Sequence, residues 1–318
     1  MARKAAHRLT TALERMLRGG VGGRRLHGTH DTERFLVDLY AGVLGREPDA
    51  QGFADHVNRL GLFPRFKDAQ EVLATFVNSE EARRRRDREL RSWLPAGDPD
   101  SAGEPVRAVL SLGTHCLTSM TLRIFGLKRF SGPFDWIFSN PQMVAHCIED
   151  DFRTFLDRNQ YERIPPEKRI TPDANLCDHR FYRDQYDVRM MFNHRDVTKP
   201  EHQAYYRRCV DRFRDAIRAD HRTLLVMITE CHMMGEEDFK RLCAALAPFD
   251  RAELMVVRVA RRAGRFGGEL LAEHDRHKLH ELHLTGKFGT IGFTEPGDSV
   301  MFRHMLDAYR FDLLPSTS

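Results

Sequence analysis

The sequence predicts an α/β protein, an open and mainly parallel sheet flanked by helices, with a small all-α domain in front of it. Three observations carry that expectation. From about residue 106 onward, short apolar runs alternate with stretches of helical periodicity, the pattern of βαβ units. Between residues 31 and 94 the apolar residues recur at helical spacing alone. Between the two lies "LPAGDPDSAGEP", Leu94 to Pro105, with the Pro, Gly, Asp and Ser content of a linker. The expected division is a basic, flexible extension over 1–30, a helical accessory domain over 31–94, a linker over 95–105 and an α/β domain over 106–318.

Each element follows in order. The opening "MARKAAHRLTTALERMLRGGVGGRR" is Arg-rich and nearly free of acids, and reads as a disordered or weakly helical basic extension. Phe35, Leu36, Leu39, Tyr40 and Val43 form one helical stripe, and Val72, Phe76 and Val77 form another. Gly45 is placed to close a helix, and "EPD" after it to open the next, since proline in a first turn needs no amide donor and aspartate favours that end. In the larger region strands are expected at "AVLSL", "DVRMMF", "TLLVMIT", "ELMVVRVA" and "KLHELHL", with helices near 117–127, 141–157, 200–219 and 235–247.

Composition narrows the function classes. The chain has 318 residues, 41% hydrophobic and 30% charged, enough for a sizeable core. A net charge of +4 is small for that length, and no nucleic-acid partner is expected. No apolar run reaches the roughly 18 to 20 residues that span a bilayer, so no integral membrane segment is expected either. Without an export signal the expected location is cytoplasmic. The six cysteines have irregular spacing and no CxxC, which suits free thiols rather than a disulfide framework.

One thiol stands out. The run "VRAVLSLG" reads as a buried strand and "CLTSMTLRIFGL" as a helix, which puts Cys116 at the helix N-terminus. Unpaired amides there carry partial positive charge and shift a thiol towards thiolate, the attacking species of several enzyme classes. The plainer reading is that a strand-to-helix turn needs a small residue and a buried cysteine fits. An open α/β sheet binds ligands at the carboxyl ends of its strands, where Cys116, His194 and the "TECH" of Thr229 to His232 all fall. Glu230 and His232 are therefore candidate pocket residues. Metal ligation is not expected of "ECHMM", because adjacent residues rarely point at one ion and no paired His-x-x-x-His or Cys-x-x-Cys helps them. In "EHDRHKLHELHL" the reading is of solvated imidazoles on a half-exposed strand. "KFGTIGF" lacks the glycine order of a phosphate-cradling loop, and "ARRRRDRELR" reads as a solvated helix end. No cofactor and no metal are expected.

Two resemblances extend this reading. "LGREPDAQGFADHVNRL" followed by "FVNSEE" is similar to a short bacterial helical domain of unknown function, related in pattern to phycobilisome linker modules and found on surface- and glycan-associated proteins. It implies an accessory module with a possible protein partner and no chemistry of its own. "SLGTHC", a helix ending in "GL", and "SGPFDW" together resemble the opening of a bacterial family described as putative papain-like cysteine peptidases, and the similarity runs over about 107–260. That resemblance implies Cys116 as nucleophile and His194, in "FNHRD", as base. The residue that orients the imidazole is open between Asp135 and Asp196, with Asn193 adjoining the histidine. Gly113, Ser131 and Trp136 are the candidate substrate contacts from the two motifs, although Phe134 and Trp136 also suit core packing. The expected function is a cysteine-dependent hydrolase, a peptidase or amidase acting on a peptide or acyl substrate. An acyltransferase of similar chemistry, or a non-catalytic glycan- or cell-surface-pathway binding protein with a structural Cys116, are the alternatives.

Overall fold

A computed structural model describes residues 29–61, 66–82, 84–85, 103–169, 176–261, 267–287, 292–293 and 296–315. The basic extension before residue 29, most of the linker and most of the run "ARRRRDRELR" lie outside the described residues, as does the middle of "KFGTIGF".

Four parallel strands and one antiparallel edge strand make the sheet. In chain order they are β1 (Ala108–Ser111), β4 (Thr223–Glu230), β5 (Ala252–Ala260), β6 (Gly267–His274) and β7 (His277–His283), arranged β1-β4-β5-β7-β6. β1, β4, β5 and β7 run parallel, and β6 returns antiparallel against β7. A two-stranded ribbon, β2 (Tyr161–Arg163) with β3 (Cys177–His179), stands apart and leads into α6 (Arg180–Tyr186). The fold class is α/β, as the alternation of apolar runs predicts.

Strands β1, β4 and β5 are largely apolar on both faces because helices cover both. Leu110, Leu225, Met227, Leu254 and Val256 share one apolar cluster with α5 (Pro141–Glu149), α7 (Pro200–Arg218) and α8 (Glu236–Leu246). The alternate residues Val109, Leu224, Val226, Met255 and Val257 share the other with α4 (Cys116–Ile124) and α9 (Pro296–Leu306). Residues of α1 (Thr29–Leu39), α2 (Ala50–Leu60) and α3 (Phe66–Val77) belong to this second cluster as well. There Asn78 donates through Nδ2 to the Ile124 carbonyl at 3.0 Å, joining the end of α3 to the end of α4. Gly45, at φ +72°, closes the helical stretch before α2, and Asp49 caps α2 by accepting the Gly52 amide at 2.8 Å.

Three expectations about elements are corrected. "DVRMMF" is not a sheet strand: Asp187 and Met190 both have φ of +53°, which turns the chain, and only Phe192 pairs, through a single bridge to Cys177. The helix expected over 141–157 stops at Glu149, because Asp151 and Phe152 adopt positive φ. Only some of the tail histidines are solvated: His274 is exposed, but His277 and His283 are buried, and His277 Nδ1 accepts the Leu254 amide at 3.0 Å. β6 was not expected at all, since "GGELLAEH" opens on glycines and mixes acids with leucines at an exposed edge.

All six cysteines are free, five buried and Cys231 exposed. Among the described residues no helix is long and apolar enough to cross a membrane.

Candidate active site

The site forms where β1 ends and α4 begins. β1 hands over through Leu112, whose amide still bonds to Val226 on β4 at 2.8 Å. Gly113 then turns the chain with φ +85°, a conformation open to glycine. A Cβ there would also meet Ser139 Oγ at 2.4 Å, so any side chain would force Ser139 to shift. Thr118, fully buried, ties the turn down from the next helical turn: its hydroxyl donates to the Gly113 carbonyl at 2.6 Å and accepts the Ile228 amide at 3.0 Å.

Cys116 is the first residue of α4. The residue before it, His115, caps the helix by accepting the Leu117 amide on Nδ1 at 3.3 Å. That role was not read from the sequence, because histidine is not among the preferred capping residues. The Cys116 sulfur is 3.6 Å from His194 Nε2. These two side chains lie 78 positions apart in the chain and are brought together by the fold.

His194 sits on an exposed loop between the Phe192 bridge and α7. Asn193 Nδ2 approaches the same ring nitrogen at 3.2 Å. With the amide N–H as donor, this contact suits the tautomer in which Nε2 accepts and the ring proton is on Nδ1. Trp136 stands edge-on to the ring with centroids 6.5 Å apart, and Arg195 stacks over Tyr205 at 3.8 Å.

Electrostatics set both groups neutral at rest. Burial pushes the Cys116 thiol up to about 11, the nearby Asp135 charge adds to this, and only the residue's own amide pulls it down. Partial desolvation of its ring, helped by the Arg195 charge, pushes His194 below its ordinary value although the residue is exposed. The expected shift of Cys116 towards thiolate is thus reversed, since desolvation of the charge outweighs the helix terminus. The pair is a neutral thiol facing a neutral imidazole, a base and its proton donor held together.

Neither candidate carboxylate touches the imidazole. Asp135, wholly buried, accepts the Gly132 amide at 2.7 Å and pairs with Lys128, whose Nζ also reaches the Phe130 carbonyl at 2.7 Å. It therefore shapes the "SGPFDW" loop from inside. Asp196 accepts the Thr198 amide at 3.2 Å and the Thr198 hydroxyl, and pairs with Arg163 at 3.3 Å, which organises the approach to α7. Among the described residues His194 makes no ion pair with a carboxylate.

The remaining candidates divide. Phe134 is buried against Phe152, Phe155 and Phe213, whereas Trp136 is half-buried beside His194. Ser131 is half-buried and hydrogen-bonds the Tyr205 side chain. Glu230 and His232 stand at the end of β4, 3.6 Å from each other, and His232 is exposed. Their recorded contact is mutual, with neither Cys116 nor His194.

A thiol at a helix N-terminus, opposed by an imidazole at the carboxyl end of a parallel sheet, defines the class: an open α/β domain built around a thiol–imidazole pair. Residues 107–251 match the model of the family described as "Putative papain-like cysteine peptidase (DUF1796)". No curated protein and no solved structure matches the chain significantly.

Proposed function

We propose that the domain is a cysteine-dependent acyl hydrolase, a peptidase or amidase in which Cys116 is the nucleophile and His194 the general base. The observation that carries this reading is the 3.6 Å approach of the Cys116 sulfur to His194 Nε2. As the sulfur attacks a carbonyl carbon, its proton passes to Nε2 and the S–C bond forms. The developing oxyanion draws on the amides of the first turn of α4. Collapse breaks the bond to the leaving group, which takes the proton back from the imidazolium. Water, activated by the same nitrogen, then cleaves the thioester. An amine acceptor in place of water would make the same intermediate a transferase step.

In this reading Asn193 holds the tautomer, Trp136 limits the ring's swing, and Gly113 and Ser131 line the approach to the sulfur. Glu230 and His232 belong to the outer rim. The test is acylation by p-nitrophenyl acetate, read by intact mass and peptide mapping. An acetyl adduct should form on Cys116, be absent in Cys116→Ser, and form about a hundredfold more slowly in His194→Ala. An adduct spread over other cysteines, or one indifferent to His194→Ala, would overturn the assignment.

A further inference from the structure

Next to the Cys116–His194 pair stands a cation that has no carboxylate partner among the described residues. Arg195 follows His194 on the loop before α7 and is half-buried, with its guanidinium over the Tyr205 ring, 3.8 Å from the centroid. Tyr205 is itself held in place, hydrogen-bonded to Ser131 in the "SGPFDW" loop and to Cys209 one turn along α7. Stacking uses the face of a guanidinium. Its N–H donors lie in the plane, in the fork that meets a carboxylate two bonds at a time.

The acids around it are engaged elsewhere or stand off. Asp196, the next residue, pairs with Arg163 and accepts from Thr198, and Asp135 is buried against Lys128. Glu201, one turn before Tyr205 on α7, is exposed and forms no ion pair with Arg195. The stack fixes where the guanidinium sits while its charge goes unanswered within the described residues. A half-buried cation has lost part of its hydration, and an arriving carboxylate would supply charge-assisted hydrogen bonds in its place.

Position ties this cation to the reacting groups. Neighbouring Cα atoms are about 3.8 Å apart, and the Arg195 charge is felt at the His194 ring. The Asp135 charge is felt both at the Cys116 thiol and at the Tyr205 hydroxyl, so thiol, imidazole and stacked guanidinium share one neighbourhood. We propose that Arg195 sets substrate specificity by binding a carboxylate of the acyl substrate, about one residue's length from the bond that Cys116 attacks. The preferred substrates are then anionic, with an acidic side chain or a terminal carboxylate beside the scissile bond. This inference rests on the reading of Cys116 as nucleophile and assigns Arg195 no part in bond making.

The test compares two alkylating agents that differ in charge, iodoacetylglycine and iodoacetylglycinamide, on the full chain. Each forms an S–C bond at Cys116 and releases iodide and the thiol proton, and peptide mass spectrometry follows the rate at that residue. The measure is the ratio of the anionic to the neutral rate, because loss of Arg195 also alters the field at His194 and would shift both rates together. The ratio at Cys116 should exceed that of N-acetylcysteinamide and fall roughly fivefold or more in Arg195→Gln. Arg195→Lys should recover part of it. Arg251→Gln removes the same charge just before β5, at the opposite end of the sheet, and should leave the ratio as it was. A ratio no higher than that of N-acetylcysteinamide, one unchanged in Arg195→Gln, or one lowered as much by Arg251→Gln would overturn the proposal. The two readings fail separately. A ratio indifferent to Arg195, with acetylation by p-nitrophenyl acetate still dependent on His194, removes the carboxylate alone; acetylation indifferent to His194 removes the nucleophile reading and this inference with it.

Discussion

At the residue scale the proposed chemistry turns on two neutral groups with displaced proton affinities. His194 is pushed below its usual 6.5 and Cys116 up to about 11, so the competent form, free imidazole with protonated thiol, spans the range between them. Acylation of Cys116 by p-nitrophenyl acetate should therefore fall as pH drops through the depressed His194 value, where the base is lost to protonation. Above it the rate should stay level and climb again only as the thiol begins to ionise near 11. A rate that instead follows ordinary thiol ionisation, and keeps the same pH profile in His194→Ala, would remove the imidazole from the mechanism. Asp135 illustrates how one residue type serves a different end: its buried carboxyl is pushed up by burial, against the pull of Lys128, and its contacts go to Lys128, the Gly132 amide and Ser119 rather than to the imidazole.

At the element scale the decisive piece is the junction of β1 with α4. Thr118 reaches back to Gly113 and across to Ile228, so one hydroxyl ties the helix that carries Cys116 to the turn after β1 and to β4. Thr118→Val keeps the shape and removes the hydroxyl, stranding a buried carbonyl and a buried amide. Chemical denaturation should show a loss of about 2 kcal/mol, with Thr118→Ser close to the parent. Equal stability for the valine and serine variants would mean that packing rather than hydrogen bonding holds the junction. This strand–turn–helix was legible in the sequence, because a short apolar run, a glycine and a helical period stand in succession. The His194 loop was legible only as a neighbourhood: "DVRMMFNH" has the residues of a strand, yet positive φ at Asp187 and Met190 bends it away from the sheet. Side-chain identity could not announce that bend.

At the scale of the whole molecule, buried imidazoles govern the response to acid. His179, His277 and His280 are each pushed down to about 4 by burial. Unfolded, they would take up protons near 6.5, so between these values the unfolded chain binds more protons than the folded one. Stability is accordingly retained above 6.5 and falls as pH drops towards 4. The melting temperature should decline from neutral pH to about pH 5, before most carboxylates titrate. His179 Nε2 faces the Thr154 carbonyl at 3.1 Å, a contact glutamine can imitate, so His179→Gln should flatten the decline. A slope unchanged by that variant would assign the acid response to other groups.

The sequence by itself determined the fold class, the order of the parallel strands' apolar runs and the placing of a cysteine at the start of a helix. These are local matters, set by periodicity, turn residues and the steric needs of a strand-to-helix turn. Tertiary structure alone decided which imidazole meets that cysteine, because Cys116 and His194 are joined only when β1 and the loop before α7 are packed on one sheet. It also decided against Asp135 and Asp196 as contacts of the imidazole, since a carboxylate's partners depend on which lysine, amide or hydroxyl the chain folds beside it.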